Sequence, residues 1–122
     1  TYKNLVQEVM LHLAQQTEKA IEAGVQDIII DLGFGFGKTI NHHFTLFDQL
    51  ENFKIFQRPI LVGISRKSMI WKTLQTSPEE VLTGTIALNM LALEKGANIL
   101  RVHDVKAAKE TISIYNALHQ NN

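Results

Sequence analysis

Three short polar stretches in this chain could do chemistry. They are Asp31 with the glycine-rich run behind it ("DLGFGFGKT", residues 31–39), Ser65-Arg66-Lys67-Ser68, and Arg101-Val102-His103-Asp104. Asp31 closes an apolar run, where a carboxylate is costly to desolvate unless donors meet it. It could accept a paired set of N–H groups, such as the edge of an amino-pyrimidinone ring, or it could cap the adjacent loop. Lys67 could neutralise an anion or donate to a ring carbonyl or nitrogen. Alternatively, Arg66 and Lys67 form a solvated charge pair beside a helix start. Arg101 and His103 occupy alternate positions and share a side if the strand runs that far. Together they could grip a diphosphate, and the planar guanidinium could stack on a ring.

The glycine run imitates a phosphate cradle without matching one. A Walker A loop needs a glycine five positions before the one in Gly-Lys-Thr. Counting back from Gly37 reaches Leu32. A dinucleotide fingerprint fails as well, because Gly37 follows Gly33 and Gly35 one residue too early. Glycines also serve turns that need positive φ. Of the flanking aromatics, Phe34 and Phe36, one could be core and the other the wall of a ligand pocket. His42 and His43 are adjacent and would diverge on a helix, so they chelate poorly. They read as surface residues, as do His12 and His119.

The elements that must position these groups follow from patterning. Leu5, Val6, Val9, Met10, Leu13, Ala14, Ala20 and Ile21 recur at helical spacing, and Gly24 suits a C-terminal cap. Asp27–Asp31 and Ile60–Ile64 are short apolar runs without alternation, as in strands buried on both faces, and Asn98–Val102 reads as a third strand. Phe44, Phe47, Leu50 and Phe53 suggest a helix between the first two. Ser77-Pro78-Glu79-Glu80 carries the signature of a capping box and starts a helix running from 79 to about Lys95. Asp104 could cap a last helix bearing Ala107, Ala108, Thr111, Ile112, Tyr115 and Leu118.

The order is a leading helix and three strand–helix units, the strands starting about 35 residues apart. That is the rhythm of a parallel α/β protein, whose ligands bind where the strands exit. All three exits carry the polar stretches above. Three parallel strands would leave apolar edges that need a partner. The 79–95 helix is apolar around most of its circumference, which fits either a larger core or a subunit interface.

Composition narrows the classes further. The chain has 122 residues, 45% of them apolar, with twelve basic residues against twelve acidic ones. No global field favours nucleic acid or an anionic membrane. The absence of cysteine excludes disulfides and thiolate metal sites and suits a reducing, cytoplasmic setting. No apolar run approaches a membrane span of about 20 residues. The sequence starts at Thr1 and enters a helical pattern directly, so a piece of a longer protein is expected.

Taken together, "DLGFGFGKT", "GISRKS" (residues 63–68) and "RVHDV" (residues 101–105) closely resemble dihydropteroate synthase in order and spacing. One departure is Leu32, where that family commonly has proline, which should alter loop stiffness more than ligand contact. The resemblance implies the C-terminal portion of a (β/α)8 TIM barrel, one partial pterin-binding domain over residues 1–122. A whole barrel takes about 250 residues. It implies condensation of 4-aminobenzoate with 6-hydroxymethyl-7,8-dihydropterin diphosphate in folate biosynthesis, with release of pyrophosphate. By matching position, Asp31, Gly63, Lys67 and Arg101 would hold the pterin. Phe36, Lys67 and Ser68 would form the aminobenzoate site, where sulfonamides compete. Arg101 and His103 would bind the diphosphate, and Asp31, Lys67, Arg101 and His103 would be the catalytic set.

The resemblance also implies Mg²⁺, held mainly by the diphosphate and by an N-terminal half of the barrel, with no metal ligand among these residues. Partners would be that N-terminal half and a second copy, as a homodimer through the 79–95 helix. Little activity is expected of these residues alone. Alternative readings are a non-catalytic piece of the barrel or another pterin-binding enzyme, such as a methyltetrahydrofolate methyltransferase with a corrinoid requirement.

Overall fold

The computed structural model describes residues 2–34 and 39–120. A long helix, α1 (Tyr2–Glu22), comes first. Gly24, at φ +93°, ends it, and Val25 N–H reaches back to Ala20 C=O at 3.0 Å. This is the left-handed stop that glycine permits. Strand β1 (Ile30–Asp31) leads to α2 (Ile40–Asp48) and a 3-10 segment, Leu50–Phe56. Strand β2 (Ile60–Val62) is followed by the single turn α3 (Ser68–Trp71), a 3-10 turn Pro78–Glu80, and α4 (Leu82–Glu94). Strand β3 (Ile99–Leu100) and α5 (Val105–Gln120) complete the order.

The strands form one parallel sheet in the order β1-β2-β3. Ile30 pairs with Ile60 and Asp31 with Leu61; Leu61 pairs with Ile99 and Val62 with Leu100. Asn98 fixes the register of β3. Its side-chain oxygen accepts from Ile60 N–H at 2.9 Å, and its own N–H donates to Ile60 C=O at 2.8 Å.

Side-chain alternation gives the sheet two unlike faces. One carries Ile30, Ile60 and Val62, continued by Leu32 and Ile64, all buried beneath the helices. Phe34, Leu46, Phe47, Leu50, Phe53 and Met69 close over them. Each such side chain contributes about 1.5–3 kcal/mol by leaving water. The other face carries Asp31, Leu61, Ile99 and Arg101, half-buried or exposed, and Ile29 beside them is 52% exposed.

Several expectations are corrected. The strands are shorter than their apolar runs and covered on one face only, because among the described residues no second layer covers the other. The helix through Phe44 and Phe53 breaks at Gln49 into α2 and a 3-10 segment, although Phe47, Leu50 and Phe53 all remain buried. No capping box forms at Ser77. Its side chain makes no cap hydrogen bond, and the α-helix starts at Leu82, after the 3-10 turn. That helix turns Thr85 and Asn89 inward with Ala92 and Leu93, leaving Leu82, Ile86 and Leu91 outside. His43 is buried rather than superficial and packs against Phe34 with ring centroids 6.1 Å apart. Among the described residues, no helix is long and apolar enough to cross a membrane.

Candidate functional site at the strand exits

The three strand exits meet in one cleft of roughly 460 Å³, lined by Asp31, Gly63, Ser65, Lys67, Arg101 and His103. A larger cleft, about 660 Å³, lies between α1, α2 and the 3-10 segment, lined by residues such as Met10, Thr45 and Asn52. None of its lining side chains titrates, so size does not locate the chemistry here.

Asp31 does two things at once. Its Oδ1 accepts from Gly33 N–H at 2.9 Å, which caps the loop, and Gly33 adopts φ +73° to make that turn. Its Oδ2 receives Arg101 Nη1–H at 3.2 Å, across 70 residues of sequence. A carboxylate has about four lone-pair sites. Acceptor capacity therefore remains for a ligand.

Gly63 is where it is because of Arg101. A Cβ built on Gly63 would lie 2.8 Å from Cζ and 2.9 Å from Nε of Arg101. Only a residue without a side chain lets the guanidinium lie over the β2 backbone.

Lys67 points from β2 toward β1, donating from Nζ to the Phe34 carbonyl at 2.6 Å. Burial lowers its pKa first, the nearby Arg101 cation lowers it further, and Asp31 opposes both. Burial thus makes the charged form of Lys67 costly where it sits.

His103 is fixed by Ser65, whose Oγ lies 2.9 Å from Nδ1 and accepts from His103 N–H at 3.3 Å. The two cations of the Ser65–Ser68 run go separate ways. Arg66, at φ +55°, turns from the cleft and spans Asp104 at 3.0 and 2.8 Å and the Pro78 carbonyl at 2.9 Å. That forked bond raises the Arg66 pKa and holds the Asp104 carboxyl below its usual range. Asp104 therefore spends its carboxylate on Arg66. At the start of α5, its backbone carbonyl receives Ala108 N–H. His119 pairs with Glu94 at 2.8 Å, away from the cleft.

The structure thus brings Asp31, Gly63, Lys67, Arg101 and His103 together. Ser68 opens α3 and does not line the cleft. Phe36 lies outside the described residues, as does Lys38. Phe34 is the aromatic that enters the core, tilted on Phe47 at 5.9 Å. Sequence reasoning gave Ser65 no role. Its alternation with Gly63 along the strand exit was the available signal.

The arrangement is that of a partial (β/α)8 barrel, and solved structures share it. A dihydropteroate synthase from Coxiella burnetii in complex with pteroic acid is similar with a TM-score of 0.94 and 38% identity, over 100% of this chain and 46% of that one. The enzyme from Thermus thermophilus in complex with 6HMPPP gives 0.91 and 37%, over 98% and 48%. Among curated relatives, the dihydropteroate synthase of Haemophilus influenzae is 39% identical over 118 residues, 95% of this chain and 43% of its own length. The chain spans less than half the length of that relative. The pterin binding enzyme family matches residues 1–103, and the chain belongs to that family.

Proposed function

We propose that residues 1–122 form one partial pterin-binding domain of a dihydropteroate synthase, joining 4-aminobenzoate to 6-hydroxymethyl-7,8-dihydropterin diphosphate. The observation that carries this reading is the convergence of Asp31, Lys67, Arg101 and His103 in one cleft at the ends of three parallel strands. The similar structures holding pteroic acid and 6HMPPP support it.

In this reading, Asp31 accepts the N–H groups of the pterin's amino-pyrimidinone edge through its remaining lone pairs. Gly63 lets Arg101 lie flat, so its guanidinium can stack on the pterin while its other N–H groups meet the diphosphate. His103 donates to a diphosphate oxygen. The bond from the pterin methylene to the diphosphate oxygen breaks, and its electron pair leaves with pyrophosphate. The resulting cation is delocalised into the pterin ring, and the Asp31 carboxylate stabilises it. The aminobenzoate nitrogen then forms the new C–N bond and gives its proton to water. Lys67 borders both sites, and Phe36 and Ser68 belong to the aminobenzoate side. No covalent enzyme nucleophile is needed.

The family resemblance implies Mg²⁺. Among the described residues, no three His, Asp or Glu side chains converge as a metal set. These residues alone form no such set for the ion, and no step here runs through it.

The open face of the sheet favours a second statement about the chain taken alone. Among the described residues, Asp31, Arg101 and Ile29 face outward with no opposing layer, which supports closure of the site by an N-terminal half of the barrel. The two halves together should form dihydropteroate in a product assay in the cytoplasmic setting expected of this enzyme, and the 122-residue chain should form none. Turnover by the chain alone would overturn this, and a corrinoid requirement would point to a methyltransferase instead. The outward Leu82, Ile86 and Leu91 of α4 support a homodimer contact. Sedimentation of a Leu91→Lys variant should show a shift toward monomer, and an unchanged mass would remove the contact.

A further inference from the structure

The loops leaving β2 and β3 are joined by two adjacent rungs. Ser65 reaches His103 and Arg66 reaches Asp104, each across 38 residues of sequence. Arg66 N–H also lies 3.3 Å from Thr85 Oγ1, tying this corner to α4. The second rung holds the backbone on both sides of the first, so the His103 ring is fixed from its own loop and from its neighbour's.

The first rung carries chemical information. A serine hydroxyl has one donor and two acceptor sites. Ser65 Oγ spends an acceptor site on His103 N–H at 3.3 Å. It is only 4% exposed, and among the described residues its other hydrogen-bond partner is His103 Nδ1. If Nδ1 carried the hydrogen, the buried Ser65 O–H would have no acceptor, at a cost of about 1–3 kcal/mol. The satisfied arrangement has Ser65 O–H donating to Nδ1. Neutral His103 then carries its hydrogen on Nε2.

We propose that Ser65 is a positioning residue that sets the His103 tautomer, so that Nε2–H serves the cleft as a donor to a phosphate oxygen, with Arg66–Asp104 as the brace that holds the pair. This rests on the reading of the cleft as a diphosphate site. Ser65 itself touches no substrate in this role. It acts through His103.

The test uses the complete, two-half protein with ¹⁵N-labelled histidine, under conditions where the spectrum shows neutral imidazoles. His103 is assigned by loss of its signals in His103→Gln. The wild type should show the Nε2–H pattern. Ser65→Ala should show mixed tautomers and raise the KM for pterin diphosphate about tenfold, with the aminobenzoate KM little changed. Ser65→Thr, which keeps the hydroxyl, should restore both the spectrum and the KM. An Nδ1–H pattern in the wild type, or a Ser65→Ala protein with wild-type spectrum and KM, would overturn the proposal. The spectrum is read without turnover. A protein that shows the expected tautomers but makes no dihydropteroate upholds the positioning role and refutes the proposed function.

Discussion

The two faces of the same three strands obey different rules. On the helix side, Ile30, Ile60 and Val62 are sealed beneath Phe34, Phe47 and Phe53, and the strand residues there are all apolar. On the other side, one residue along each strand, stand Asp31, Gly63 and Arg101, whose contacts are charged or exist to let a charge lie flat. Alternation by one residue separates the part that holds the fold from the part proposed to meet a ligand. Damage to one face should therefore leave the other nearly intact.

The largest effect is expected on the covered face. Phe53→Ala should cost about 3–5 kcal/mol of stability in chemical denaturation, while the molecules that remain folded bind the pterin diphosphate as before. A loss under about 1 kcal/mol would mean that this face does not carry the fold. Gly63→Ala is the complementary change. The added Cβ displaces the flexible end of Arg101 rather than backbone, so stability should change by less than about 0.5 kcal/mol. Pterin diphosphate affinity should nevertheless fall about tenfold. Equal loss of both would erase the distinction between the faces.

The smallest effect is the pH dependence of the brace. The Asp104 carboxyl titrates below its ordinary value because Arg66 binds its charged form. Between the folded and unfolded pKa values the unfolded chain holds more protons, so stability rises with pH there. The contribution is complete above the unfolded Asp value, near about 3.9, and is lost as pH falls through the folded value. Asp104→Asn should flatten the acid limb of the stability curve, and an unaltered slope would show that the brace is idle.

Much of this is legible in the sequence. The element order and the parallel sheet follow from short apolar runs separated by helical spacing, and the polar exits point at the cleft. The extents are less legible. A strand's hydrogen-bonded length depends on its neighbours, and among the described residues β1 and β3 each have one. The runs around them therefore read longer than the ladders they form. Ile29 and Leu61 look like core in a buried-strand pattern, yet they face the side that these residues leave uncovered. His43 reads as superficial because a polar residue beside another histidine gives no sign of the Phe34 ring that buries it. Nor does composition show that Arg66 leaves the cleft while Lys67 stays. Arg66's partner, Asp104, is 38 residues distant, and a left-handed backbone at Arg66 turns the side chain away.

We propose that the uncovered face presents Asp31 to the pterin. Calorimetric titration of the pterin diphosphate into the complete, two-half protein carrying Asp31→Asn tests it most directly. The amide puts a donor where the ring offers donors, so binding should weaken about 100-fold or more, with stability nearly unchanged. Wild-type affinity in that variant would contradict the account.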